Sequence, residues 1–134
     1  MKEVKISHTI PPIYEELHNR FGVEWENGII IAWDNKIHCS EDFPLAPQKI
    51  IHESKHLERQ NEIGNDAWWR LYLESEQFRR NEEMIAYLAE ANFIKKNIKN
   101  REISFFAIRD IAKSFSSDVY GNIISLEDAL KILR

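Results

Sequence analysis

The sequence predicts a single α+β domain over residues 1–134, mostly helical, with one small antiparallel sheet near its start. Three observations lead to this prediction. The length of 134 residues supports one compact core and is too short for two ordinary domains. A hydrophobic fraction of 43% with only four glycines and four prolines excludes a disordered or low-complexity chain. Apolar residues recur at helical spacing along most of the chain, and only one short segment has the residue pattern of strands.

The first third of the chain is predicted to contain a helix followed by a β-hairpin. Apolar residues recur at helical spacing over 13–21, between two prolines and a glycine, which favour the start and the end of a helix. Residues 28–33 and 36–39 are rich in strand-forming residues, and the Asp34-Asn35 pair between them is typical of a tight turn. We expect these two strands to form the sheet.

The rest of the chain is predicted to be helical. Apolar spacing and capping residues predict five further helices, at 48–63, 67–73, 78–97, 103–115 and 126–132. Asp66 is expected to cap the second of these helices and Ser125 the last. Trp68, Trp69 and Tyr72 are predicted to belong to the core rather than to a substrate cleft, because aromatic residues at short helical spacing are usually core residues.

The charge balance and the hydropathy of the chain bear on its partners. Lys and Arg total 18 against 22 Asp and Glu, a net charge of -4, so the chain has no diffuse positive field that would hold nucleic acid. No apolar run approaches the roughly 20 residues of a transmembrane helix, and the first residues lack the apolar core of a signal peptide. We therefore expect a soluble, cytoplasmic protein that binds neither nucleic acid nor membranes.

A metal-binding motif lies in the predicted helix 48–63. It reads His52-Glu53-Ser-Lys-His56, the pattern HExxH. Because residues four apart lie on one face of a helix, the two imidazoles can bind one ion while Glu53 lies beside it. This spacing is typical of zinc hydrolases.

A hydrolytic zinc site needs a third protein ligand and one position left open for water. Glu82 and Glu83, near the start of the predicted helix 78–97, are both candidates on spacing alone. Acidic residues are also common at the start of a helix for electrostatic reasons, so one of the two is expected to have no ligand role.

These motifs resemble the zincin metallopeptidases in which the third zinc ligand is a glutamate. In that family the HExxH helix is followed one helix later by a Glu-x-x-Ala motif. Glu83-Met-Ile-Ala86 matches this motif directly, whereas Glu82 matches only if one extra residue is allowed. The resemblance therefore selects Glu83.

More narrowly, residues from about 29 to 130 are similar to small metallopeptidases of bacteriophages and prophages. The shared segments occur here in the same order: Asp34–His38, Pro47–His52, Trp68-Trp69, Phe78-Arg79 and Tyr120-Gly121-Asn122. By this resemblance the fold is a minimal zincin-like domain. The protein would act in the cytoplasm of a host cell, and association with a virion is an open alternative.

The resemblance also implies a mechanism. Zn²⁺ would be held by His52, His56 and Glu83, and the substrate would be a peptide or a protein. Glu53 would take a proton from water and return it to the leaving amine. Some relatives place an acid that orients the first histidine directly after Glu-x-x-Ala, where this chain has Tyr87.

Zincin substrates usually lie as an added strand along a sheet edge, and residues 36–39 are predicted to be that edge. One of His38, Tyr87 or Tyr120 is expected to stabilise the oxyanion, and the sequence does not choose among them. The predicted substrate-binding residues are Lys36, Ile37, His38, Tyr87 and Tyr120.

Two other functions use the same residues. The chain can be a zinc-binding phage structural or host-interaction protein with weak or no hydrolysis, or it can hydrolyse a non-peptide such as a cell-wall fragment. The intact Glu53 favours an enzyme, because a structural zinc site needs no general base. The sequence predicts neither the cleavage preference nor the oligomeric state.

Overall fold

The computed structural model describes residues 4–134 and has the predicted α+β class. Within these residues there are six α-helices: α1 (Tyr14–Phe21), α2 (Pro47–Ile63), α3 (Asn65–Glu74), α4 (Glu76–Asn97), α5 (Arg101–Phe115) and α6 (Leu126–Leu133). The three strands are β1 (Lys5–Ser7), β2 (Ile30–Trp33) and β3 (Lys36–Cys39). Short 3₁₀ turns lie at Trp25–Asn27 and Asp118–Tyr120. Residues 4–134 include no helix with both the length and the apolar character needed to cross a bilayer.

The predicted hairpin is confirmed, but the sheet differs from the prediction in two respects. Asp34 and Asn35 have φ angles of 48° and 64°, which give the tight turn that joins β2 antiparallel to β3. A third strand, β1, pairs in parallel with β3, so the sheet is mixed rather than antiparallel. The strand order β1-β3-β2 makes β3 the central strand, and the prediction that residues 36–39 form an edge is wrong.

The predicted helices are present, and their starts differ from prediction where a cap was misjudged. The α3 helix already begins at Asn65, after Gly64 at φ 104° and ψ 136°, so Asp66 lies inside the helix and does not cap it. The α4 helix begins at Glu76, because the Ser75 hydroxyl accepts a hydrogen bond from the Phe78 amide. The expected cap of α6 is present, since the Ser125 hydroxyl accepts from the amide of Asp128 at 3.1 Å.

The core has three parts, and α2 lies among them. One part, between α4, α5 and α6, includes Tyr87 stacked on Phe115 at 5.0 Å between ring centroids. A second part, between α1, α3 and β2, includes Trp68, Trp69 and Tyr72, which are buried as predicted. All three also border a cavity, so the prediction that they belong to the core rather than to a cleft is only half right. A small third part packs the sheet against α2. Because α2 contacts the sheet, α3 and α4, its buried face is surrounded by protein.

Candidate metal centre

The HExxH residues lie on the buried face of α2. His52, Glu53 and His56 are all buried, although α2 is otherwise a largely polar helix. Pro47 at the first helical position sets the start of α2, so the motif lies in its second and third turns, where the helix packs against α4. Buried charged residues are rare unless they are paired or bind a metal. The ionisable side chains on this face of α2 therefore need a charged group or a metal ion beside them.

Glu83 on α4 is such a charged group. Its Oε1 lies 3.0 Å from His52 Nε2, and its Oε2 lies 3.1 Å from His56 Nε2. One ligand atom from each of the three residues lies within 4.8 Å of the other two. Ligand atoms bound tetrahedrally to one zinc ion are about 3.4 Å apart, given bonds of about 2.1 Å. His52, His56 and Glu83 thus form a buried group that can hold a metal ion.

Glu82, the other candidate ligand, points away from the histidines. Its Oε1 accepts hydrogen bonds from Trp68 Nε1 at 2.7 Å and from Arg59 Nε at 3.0 Å. Arg59 binds both oxygens of this carboxylate. Glu82 therefore ties α4 to α2 and α3, and the geometry brings Glu83 rather than Glu82 to the candidate site.

An acid that orients His52 is present, at a position that sequence reasoning missed. The His52 Nδ1 contacts Glu90 Oε1 at 3.1 Å, and Glu90 is fully buried. The ammonium of Lys49 lies 3.0 Å from the other oxygen of Glu90. Glu90 follows Glu83 by seven residues, or two helical turns, so both carboxylates face α2. That seven-residue spacing is a signal by which the sequence could have identified Glu90.

Tyr72 is a second contact that the sequence did not reveal. Its hydroxyl donates to Glu83 Oε2 at 2.6 Å, although its ring belongs to the core as predicted. Tyr87 directly follows the Glu-x-x-Ala motif, where some members of the resembled family have an acid. Its ring packs against His52 with 4.4 Å between centroids. Its hydroxyl shares a hydrogen bond of 2.7 Å with the hydroxyl of Tyr120.

The charges of this group shift the pKa values of its members strongly. Burial alone lowers the pKa of His52, but the negative charges of Glu53, Glu83 and Glu90 outweigh it and raise that pKa to about 10. Burial alone would raise the pKa of Glu83, but His56 and His52 outweigh it and hold that pKa well below its usual range. Burial raises the pKa of Glu53, with His52 and His56 opposing the shift.

The donor set fits a divalent cation. Glu53, Glu83 and Glu90 carry three negative charges, and Lys49 offsets one of them, so two remain for a doubly charged ion bound by neutral imidazoles. His52 has a carboxylate oxygen at each ring nitrogen. A neutral imidazole can donate at only one of them, so an ion at Nε2 with the Nδ1 proton on Glu90 satisfies both positions.

A cavity of about 600 Å³ borders the candidate metal group. His52, Glu53, His56, Glu83, Tyr87 and Tyr120 all line it, together with β2 and the segment before it. An open, partly apolar cavity beside a cluster of ionisable groups is the usual form of an active site. The cavity gives the metal group room for a ligand or a substrate.

Three predicted substrate-binding residues are not brought to this cavity. Among the described residues that line it, β3 contributes none. Lys36 is exposed at the hairpin turn, and Ile37 is buried against α2 with Leu57. His38 is buried, and its Nδ1 donates to the carbonyl of Thr9 at 2.9 Å. The edge strand that lines the cavity is β2.

Comparisons of the chain with protein-family models, with curated proteins and with solved structures find no significant match.

Glu90→Gln is expected to lower the affinity for a divalent metal ion, with zinc as the probe, about 10- to 100-fold, the usual effect of removing a partner that orients a metal-ligating histidine. The amide keeps the shape of the side chain but loses the charge that holds the proton on His52 Nδ1. Competition with a chromophoric chelator measures the change. Glu58→Gln removes the same charge from the exposed side of α2 and serves as the control. Equal affinities for the two variants would contradict the role of Glu90.

Binding of a divalent metal ion at this group is also expected to release about one proton per ion near neutral pH. In the metal-free protein the pKa of His52 is about 10, so Nε2 carries a proton at pH 7 that the ion must displace. Lower pH therefore weakens binding, and the apparent association constant should rise about tenfold per pH unit between about pH 7 and 8. Calorimetric titration in two buffers with different ionisation enthalpies counts the protons. Binding without proton release would show that His52 is neutral before the ion arrives.

Proposed function

We propose that this chain is a zinc-dependent hydrolase that cleaves peptide bonds in a peptide or protein substrate, as the resemblance to the zincin metallopeptidases implies. One observation carries the proposal. The ligand atoms of His52, His56 and Glu83 converge within 4.8 Å, and Glu53 stands beside them at the wall of a cavity of about 600 Å³.

Zinc is the ion that this donor set favours. Two imidazoles and one carboxylate, with a further position open toward a cavity, are the usual ligands of a catalytic zinc. When bound, zinc supplies a Lewis acid that lowers the pKa of water from about 15.7 toward 7 and polarises a carbonyl group. The protein contributes the neutral imidazoles, the orientation of His52 by Glu90, and a buried site that strengthens electrostatic interactions.

Glu53 is the general base of the proposed reaction. Its Oε2 lies 3.7 Å from His52 Nε2, close to the metal group without competing as a fourth protein ligand. Burial raises the pKa of this carboxyl, which suits a group that must both accept and return a proton. Glu53 takes a proton from the attacking water and delivers it to the nitrogen of the leaving amine.

Tyr120 is the donor that we assign to the developing oxyanion. It lines the cavity, and its hydroxyl is held by that of Tyr87 at 2.7 Å. Burial raises the pKa of both tyrosines well above the usual value, so both stay protonated and can donate. Tyr87 is the more deeply buried of the two and serves as the support. A preorganised donor of this kind contributes to the rate because its orientation is fixed before the reaction.

The substrate is assigned to the Ile30 end of the β2 edge that faces away from β3, because the Ala32 carbonyl on that edge already accepts hydrogen bonds from Gln60 Nε2 at 2.9 Å and Trp69 Nε1 at 3.2 Å. This strand lines the cavity, and it pairs with β3 on one side only. An extended peptide can add to such an edge through backbone hydrogen bonds, which would place a carbonyl group in the cavity. This assignment replaces the one that the sequence suggested for residues 36–39.

The metal content of the purified protein is the first test, because every step of the proposed reaction depends on the ion. We expect about one zinc per chain by elemental analysis, and cleavage of a peptide library that stops on addition of a chelator and returns with zinc. No zinc after reconstitution would exclude the proposed function. Stoichiometric zinc without cleavage of any peptide would favour a zinc-binding structural or host-interaction protein.

A further inference from the structure

Arg79 is a buried cation that the proposed reaction does not use. It lies on α4 one helical turn before Glu83, and its residue exposure is 7%. Within residues 4–134, no carboxylate lies within ion-pair distance of its guanidinium. Buried arginines are normally paired with an anion, because an uncompensated buried charge is costly. The buried charge of Arg79 must therefore be stabilised by groups other than a carboxylate.

The guanidinium of Arg79 binds the backbone of two tyrosines instead. Its Nη1 donates to the carbonyl of Tyr72 at 2.7 Å, and its Nε donates to the carbonyl of Tyr120 at 2.7 Å. The charge is also stacked on aromatic rings, with its central carbon 4.9 Å from the centroid of Phe21 and 5.9 Å from that of Tyr72. The rigid fork of an arginine joins two such acceptors, which the single ammonium of a lysine cannot do with the same geometry.

Both tyrosines extend from these carbonyls to the candidate site. The hydroxyl of Tyr72 donates to the ligand Glu83 at 2.6 Å. The hydroxyl of Tyr120 meets that of Tyr87 at 2.7 Å, and both rings line the cavity. One side chain thus ties α3 and the 3₁₀ turn Asp118–Tyr120 to the helix that carries the third ligand.

Gly121 fits this arrangement closely. Its φ is 83°, and a Cβ atom there would lie 3.2 Å from Arg79 Nη2 and 3.3 Å from the ring of Phe21. A side chain here would crowd the guanidinium and the ring of Phe21, and the positive φ also favours glycine. The contact joins Phe78-Arg79 to Tyr120-Gly121-Asn122. Both segments belong to the resemblance described above, and the sequence alone indicates no role for either.

We propose that Arg79 is a positioning residue, which holds Tyr120 over the cavity and Tyr72 against Glu83 through their backbone carbonyls. Its catalytic consequence rests on the proposed hydrolase function, whereas its effect on the two tyrosines does not. Arg79 touches neither the ligands nor the cavity, so its loss affects the reaction only through the tyrosines.

Fluorine NMR of protein labelled with 3-fluorotyrosine tests this proposal without any activity. The chain has four tyrosines, and single Tyr→Phe variants assign their four signals. In Arg79→Lys we expect the Tyr72 and Tyr120 signals to shift or broaden, while the signal of Tyr14, whose hydroxyl contacts the backbone of Val23 and Trp25 instead, stays in place. Arg80→Lys, the same change one residue along the helix, should move none of them. Unchanged Tyr72 and Tyr120 signals in Arg79→Lys would overturn the proposal.

Kinetics supply the second readout. Arg79→Lys is expected to lower kcat about 10- to 100-fold, with KM and zinc content unchanged, because a misplaced donor affects the transition state more than substrate binding. In a Tyr120→Phe background the same change should lower kcat by less than in the wild-type background, since only the effect through Tyr72 and Glu83 remains. Equal losses in both backgrounds would contradict a role through Tyr120.

Gly121→Ala provides an independent variant if Arg79→Lys does not fold. The added methyl group crowds Arg79 and Phe21 and so pushes the turn away from them. It should displace the Tyr120 signal and lower kcat while leaving zinc bound. An unchanged Tyr120 signal in that variant would overturn the proposal. If the wild type binds zinc but hydrolyses nothing, the hydrolase proposal fails while the NMR result still decides the role of Arg79.

Discussion

Glu83→Ala is expected to yield a folded protein that retains no zinc through purification, with affinity reduced by more than the roughly hundredfold effect of losing an orienting residue. The carboxylate of Glu83 lies between the Nε2 atoms of His52 and His56, at 3.0 and 3.1 Å. Without it, only two protein ligands remain, fewer than catalytic zinc sites have. Elemental analysis gives the zinc content, and a chelator competition gives the affinity. Full retention of zinc would show that Glu83 is not a ligand.

Glu82→Gln is the matched control, because Glu82 is the neighbouring residue and is equally buried. We expect this variant to keep its zinc and to lose about 1–3 kcal/mol of unfolding free energy, since the buried Glu82 receives hydrogen bonds from Trp68 and Arg59. Denaturant titration measures the loss. The opposite pattern, with zinc lost in Glu82→Gln and kept in Glu83→Ala, would reassign the third ligand to Glu82.

The helices could be predicted because each is specified by its own residues. Apolar spacing marked all six of them, and the Asp34-Asn35 pair marked the hairpin turn, where both residues adopt positive φ angles. The strand β1 could not be found in this way. It has only three residues, and it exists through pairing with β3 some thirty residues later. Because the sequence does not predict β1, it predicts β3 as an edge strand, whereas β3 is the central strand.

Some residues of the candidate site could likewise be predicted from local sequence, and others could not. His52, Glu53 and His56 are fixed by spacing within one helix, and Glu83 was selected by a short motif on the next long helix. The seven-residue spacing from Glu83 places Glu90 on the same face of α4, but its contact with His52 depends on how α4 packs against α2. Sequence reasoning found the residues that match a short motif and missed Glu90 and Tyr72, whose contacts form only when α4 packs against α2 and α3.

Residues with two roles were the hardest to predict. Tyr72 was expected in the core, and its ring is there, yet its hydroxyl binds Glu83. An aromatic pattern predicts burial of the ring but does not indicate where the polar end points. His38 shows the opposite case, because its nearness in sequence to the motif suggested a role, while the fold turns its Nδ1 to Thr9.

Glu53→Gln is expected to keep its zinc and to lose hydrolysis by about 10²- to 10⁴-fold in kcat, the usual contribution of a general base. The amide has the same shape as the carboxyl but cannot accept a proton from water. Burial raises the pKa of Glu53 by more than the attraction of His52 and His56 lowers it, so the folded protein favours an uncharged side chain at this position. The folded protein should therefore be at least as stable as the wild type in a thermal scan.

The combination of these readouts separates an enzyme from a zinc-binding scaffold. Glu58→Gln, on the exposed side of the same helix, controls for the loss of one negative charge and should leave kcat unchanged. If Glu53→Gln keeps both zinc and hydrolysis, another group is the base, and the mechanism assigned to Glu53 is wrong. If it loses zinc as well, Glu53 supports the ion directly, and the open position required for water is absent. Only retained zinc with lost hydrolysis fits a catalytic carboxylate that stands beside the metal without binding it.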